Sequence, residues 1–94
     1  MKRTEDRLFL DTAYVQALYS RTDLHHGAAN AFIPRLEAAA EIWTTEAVLI
    51  EIGNGLSAIN RAAAVAFIRR CYAEHGGINL VRLTSPLIVK ALEL

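Results

Sequence analysis

The sequence predicts an α/β domain, an α/β/α sandwich built on a short parallel sheet. Three observations carry this expectation. Leu8-Phe9-Leu10 is apolar at every position, which suits a strand buried on both faces, as in a parallel sheet. Two further short runs, Ile42-Trp43-Thr44 and Ile78 to Leu83, are separated from it and from each other by long alanine-rich stretches. Strands alternating with helices imply βαβ units and right-handed crossovers. The chain of 94 residues is read as one domain, 1–94, without repeat or low-complexity linker.

Each element has a local reason. Asp11 or Thr12 caps a first helix that carries Tyr14, Val15 and Leu18. Ser20-Arg21-Thr22-Asp23 is a loop whose aspartate can cap a helix from about Leu24 to Ala40. Pro34 removes a backbone donor inside that helix, so a kink or break is expected near Asn30–Pro34. Thr44 or Thr45 caps a helix over Glu46–Ile59, and Asn60 caps another from Arg61 to about Glu74, closed by Gly76-Gly77. Asn79 and Arg82 interrupt the third apolar run, which fits an edge strand. Ser85 then caps a last helix with Pro86 at its first position and apolar residues at 87, 88, 91, 92 and 94.

Composition excludes several classes. Mean hydropathy is +0.23 with 21% charged residues, too apolar for a disordered chain. No apolar run approaches the ~18–20 residues of a membrane span. The start, Met1 to Asp6, is charged and its following apolar run ends at Asp11, unlike a signal peptide. Cys71 is the single cysteine, so disulfide frameworks and cysteine-rich zinc sites are excluded and a cytoplasmic location is expected. Lysine plus arginine balance aspartate plus glutamate at 10 each, which argues against non-specific electrostatic binding of nucleic acid.

Two acids stand out. Asp11 follows the first strand directly, where open parallel sheets bind ligands, and is either a cation ligand or a plain helix cap. Glu51 sits in Ala47-Val48-Leu49-Ile50-Glu51-Ile52-Gly53-Asn54-Gly55-Leu56, a helix apolar almost all round. A glutamate there is exposed on a narrow stripe, paired or metal-bound. Asn54 and Gly55 share its side of the helix, and Gly55 would let another backbone or a ligand come close. Two carboxylates converging at one end of a sheet suit Mg²⁺ or Mn²⁺. The rest reads as structural: Cys71 and Trp43 as core, His25 and His26 as surface or cap groups, His75 near a helix C-terminus, Arg69 and Arg70 as a solvated face.

The segments Phe9-Leu10-Asp11-Thr12-Ala13-Tyr14 and Thr44 through Leu56, with the Arg61-Ala62-Ala63-Ala64 helix, Leu83-Thr84 and the closing Ala91-Leu92-Glu93-Leu94, resemble the PIN domain, and within it the VapC-type ribonuclease toxins. The resemblance implies a metal-dependent endoribonuclease of a toxin–antitoxin pair, with Mg²⁺ or Mn²⁺ as cofactor and RNA and an antitoxin as partners. It matches Asp11 and Glu51 to the family's catalytic metal ligands and Thr12 and Asn54 to supporting positions. The family's later aspartates have no counterpart, since no aspartate follows Asp23. The chain is therefore expected to be truncated before the last strands and to be weak or inactive alone. Its alternative role is that of a non-catalytic interaction module. Without those strands the first strand becomes an edge, and self-association, a homodimer for example, or pairing with a partner is expected there, or else a marginal monomer.

Overall fold

The computed structural model describes residues 5–93; the charged start, Met1–Thr4, and Leu94 lie outside the described residues. Strands β1 (Arg7–Phe9), β2 (Glu41–Thr45) and β3 (Asn79–Val81) form one parallel sheet in the order β1-β2-β3. Helices α1 (Thr12–Tyr19), α2 (His26–Ala31) and α3 (Ile33–Ala38) connect β1 to β2. Helices α4 (Glu46–Ile59) and α5 (Arg61–Tyr72) connect β2 to β3, and α6 (Ser85–Leu92) follows. The α/β class and the parallel sheet are those expected, and among the described residues β1 and β3 are the edges.

Capping sets most boundaries. Asp11 accepts from Tyr14 N at 2.7 Å to start α1, Thr45 accepts from Val48 N at 3.3 Å to start α4, and Asn60 accepts from Ala63 N at 3.1 Å to start α5. The long second helix is two, parted at Phe32, just before Pro34 enters the first turn of α3. Two expected caps are displaced. Asp23 accepts from His25 N at 2.8 Å and makes a turn two residues ahead of α2, which has no side-chain cap. Thr84, not Ser85, caps α6, accepting from Leu87 N at 3.3 Å. After α5 the chain turns through Gly77 at φ +80, where Arg70 Nε donates to Gly76 O at 2.6 Å.

The two crossovers step across the sheet in the same direction, so right-handed connections put α1–α5 on one face. Burial agrees. Leu10, Val15, Val48, Leu49, Ile52, Leu56, Ala64, Phe67 and Cys71 form one core, with Ile42, Ile78 and Leu80 packed against it. The opposite face carries Phe9 and Trp43, which are neighbours in the β1–β2 register and are 56% and 37% exposed. Trp43 is thus not the sheet-core residue its apolar neighbours suggest. Every residue of α6 is exposed, Leu87, Ile88 and Val89 among them.

Candidate functional site

The carboxyl end of β1 is tied to β2 before any functional residue appears. Leu10 N donates to Trp43 O at 2.8 Å, and the fully buried Thr44 hydroxyl donates to Leu10 O at 2.9 Å. This double tether holds Leu10 and sets Asp11 at the end of the strand. Asp11 is exposed with extended backbone, φ −93 and ψ 170. One carboxylate oxygen, Oδ1, is committed to Tyr14 N; the other has no hydrogen bond among the described residues. Asp11 is therefore a helix cap with an oxygen to spare, so the two readings of it are compatible. Thr12 opens α1 and is half-buried.

Glu51 lies in the second turn of α4, exposed, beside the fully buried Ile52. Among the described residues its carboxylate joins no ion pair. Asn54, one turn further on, is also exposed. Gly55 has the packing role that its helical position implied. A Cβ there would stand 2.5 Å from Gln16 Nε2, so the missing side chain lets α1 lay Gln16 against α4. The described residues contain no cluster of three or more His, Cys, Asp or Glu able to hold a metal ion.

Next to Asp11 lies a hollow of about 450 Å³ lined by Ala13, Tyr14, Ala28, Phe32 and His25 among others. Tyr14 shapes it: its hydroxyl donates to Ala29 O at 2.9 Å and its ring meets Phe32 edge-on at 5.8 Å. Burial, and then the neighbouring Tyr19, hold the Tyr14 phenol above its ordinary value. His26 is the cap-type histidine expected, its Nδ1 lying 2.8 Å from Ala17 O, where it joins α1 to α2. Cys71 is the expected core thiol, and burial pushes it up to about 11.

Glu46 is the residue that sequence reasoning passed over. It stands at the first position of α4, where acids favour the positive end of the helix dipole. That preference was the one available signal. Both its oxygens are occupied: Leu83 N donates at 2.7 Å and the Tyr72 hydroxyl donates to the other. Arg82 lies over the Tyr72 ring at 5.6 Å. The Tyr72 hydroxyl, then the Leu83 amide, hold the Glu46 carboxyl below the ordinary carboxylate range, with Arg82 adding to the effect. This clamp fastens the start of α4 to the end of α5 and the exit of β3.

The arrangement is that of the PIN-like α/β fold found in VapC toxins. It is similar to the crystal structure of Mycobacterium tuberculosis VapC20, a sarcin–ricin loop cleaving toxin, with a TM-score of 0.74 at 24% identity. The likeness covers 92% of this chain and 64% of that one, so the chain spans less than two thirds of VapC20's length. No family model matches the sequence, and no curated protein does.

Proposed function

We propose that this chain is a PIN-type endoribonuclease module of the toxin–antitoxin class, with Asp11 and Glu51 as its catalytic metal ligands and Mg²⁺ or Mn²⁺ as cofactor. The observation that carries this reading is the fold shared with a VapC ribonuclease toxin. The helical register supports the pairing of the two acids. α1 and α4 follow neighbouring parallel strands, so they start at the same end of the sheet. Gln16 lies against Gly55. One turn back from these residues are Thr12, beside Asp11, and Glu51.

The donor set fits a hard, hydrated cation in kind: two exposed carboxylates, one with a spare oxygen, and no soft ligand between them. A bound divalent ion would activate water and offset charge on the phosphodiester. The protein's own part is positioning. The Thr44–Leu10 tether fixes where Asp11 stands, Tyr14 N orients its carboxylate, and the core beneath Ile52 fixes the helix that presents Glu51. Thr12 and Asn54 supply polar groups beside the two acids. Two carboxylates hold such an ion weakly, so cleavage of RNA by this chain alone is expected to be poor.

That same sparseness favours a second reading, a non-catalytic module that keeps an antitoxin- or self-binding surface. The apolar hollow beside Asp11 and the exposed Phe9 and Trp43 are its observations. Among the described residues no helix is long and apolar enough to cross a membrane, and a cytoplasmic role on RNA is proposed. The discriminating experiment is RNA cleavage with added Mn²⁺, comparing the chain with Asp11→Asn and Glu51→Gln. Weak cleavage lost in both variants supports the nuclease. Cleavage that survives either variant removes these residues from the site, and no cleavage under any condition favours the binding module.

A further inference from the structure

The hollow beside Asp11 has walls that lie wholly between residues 11 and 32, and bonds across it fix its shape. The Tyr14 hydroxyl donates to Ala29 O, and His26 Nδ1 lies 2.8 Å from Ala17 O, so α1 and α2 are tied together twice. Ala17 and Ala29 are buried and form its floor, while Ala13 and Ala28 are exposed and form its rim. Phe32 is a held aromatic wall: Tyr14 meets its ring edge-on, and the Arg35 guanidinium lies 5.4 Å from the ring centroid. With the Tyr14 hydroxyl spent on Ala29 O, the ionisable groups left at the hollow are Asp11 and His25. The His25 backbone N–H is held by Asp23 Oδ1 at 2.8 Å, and its side chain is exposed. Among the described residues its ring makes no hydrogen bond, so the imidazole is available to a ligand.

These features select an occupant. A volume of about 450 Å³ is at the small end of the ~300–1,000 Å³ range of ligand cavities and suits one flat group. A partner helix, ~10–12 Å across and anchored over successive turns, needs a longer trough. The lining is alanine and aromatic, with one free imidazole at the rim. Single-stranded RNA presents a group of this kind: an unstacked base, held against aromatic or histidine rings and read along its polar edge. The neighbouring chemistry narrows the choice further. Asp11 belongs both to the hollow and to the proposed cation site, so an apolar slot and a phosphate-binding position stand side by side. An aromatic ring joined to a phosphate is a nucleotide. Its base leaves the Asp11 carboxylate to the cation, because His25 is there to meet the polar edge.

We infer that the hollow between α1 and α2 is a nucleobase subsite: one unstacked base of single-stranded RNA lies between Ala13 and Ala28 against Phe32, His25 meets its edge, and its phosphate faces the cation at Asp11. The placement of the phosphate rests on the nuclease reading; the affinity of the hollow for a base does not. His25 and Phe32 are then residues that set which RNA is accepted, and the chemistry stays with the two acids.

The test is NMR titration of the full chain with alanine methyl resonances as reporters, since the ring current of a base shifts the methyls it covers. The probes are adenosine, adenylate with and without Mg²⁺, ribose phosphate with Mg²⁺, and N-acetyl-leucinamide. Adenosine is expected to shift the Ala13 and Ala28 methyls with no metal present, and ribose phosphate is expected to leave them in place. Ala28→Leu fills the hollow from an exposed position and keeps the fold. It should weaken adenosine binding at least roughly 5-fold, and so should His25→Ala, the low end of what the loss of one base–aromatic contact costs. Methyls unmoved by both adenosine and adenylate would overturn the inference, as would unchanged adenosine binding in either variant. So would N-acetyl-leucinamide bound as tightly as adenosine, which would give the hollow to a protein side chain. Mg²⁺ should also tighten adenylate, and Asp11→Asn should remove that gain while adenosine still binds. Adenosine bound with no gain from Mg²⁺ would refute the cation reading and leave the base subsite standing, so the two failures are separate results.

Discussion

Helix α4 carries two glutamates only five residues apart, and they live in opposite circumstances. Glu46 has both oxygens taken, by Leu83 N and the Tyr72 hydroxyl. Glu51 is exposed and joins no ion pair among the described residues. An acid whose acceptors are already filled holds the fold together. An acid left open on a rigid helix is available to a ligand. The proposed site rests on this difference between the two residues.

The largest expected effect breaks the platform on which both acids stand. Ile52 is fully buried beneath Glu51, and Ile52→Ala should cost about 2–5 kcal/mol in urea unfolding. For a domain whose total stability is roughly 0.05–0.15 kcal/mol per residue, that is a large share. A loss below about 1 kcal/mol would mean that α4 is not anchored as described.

Next comes the clamp. Glu46→Ala should lower the thermal midpoint by less than Ile52→Ala does, while Glu51→Ala leaves it almost unchanged; equal shifts for the two glutamates would erase the contrast between them. The clamp also has a pH signature. The Glu46 carboxyl is held below its ordinary value in the folded chain, first by Tyr72, then by Leu83. It therefore contributes stability above the ordinary glutamate value, lost as pH falls through the lowered folded value. Unfolding measured between about pH 6 and about pH 3 should lose part of its acid dependence in Glu46→Gln.

The smallest effect sharpens the comparison at Gly55. The atom nearest a new Cβ is Gln16 Nε2, the far end of a flexible side chain. Moving it is cheap, and alanine is favoured over glycine inside a helix by roughly 0.8–1.0 kcal/mol. Gly55→Ala should leave stability within about 1 kcal/mol of the parent, with a gain as the expected sign. A loss of several kcal/mol would show that α1 and α4 tolerate no adjustment at this contact.

Much of this was legible in the sequence, for local reasons. Asp11, Thr45 and Asn60 cap helices through hydrogen bonds to residues three positions on, and such signals are written in short stretches. Pro34 marked the break between α2 and α3 within its expected interval. Glu51 and Asn54 share a helix side by spacing alone. What escaped depends on distant partners. The Glu46 clamp joins residues 26 and 37 positions apart, and nothing near Glu46 names Tyr72 or Leu83. Trp43 reads as core because its neighbours are apolar, yet its side chain points to the face away from α1–α5. Strand burial on both faces is a property of the whole connection order, which a five-residue window does not contain.

The central claim is that Asp11 and Glu51 hold one divalent ion between them, and Mn²⁺-induced broadening of amide resonances tests it most directly. Mn²⁺ added to the folded chain should broaden residues 11–12 and 51–54 together, over the same concentration range. Asp11→Asn should remove the effect at both segments, and so should Glu51→Gln, while Glu46→Gln leaves it in place. Broadening at neither segment, or at one segment unaffected by substitution in the other, would contradict the claim.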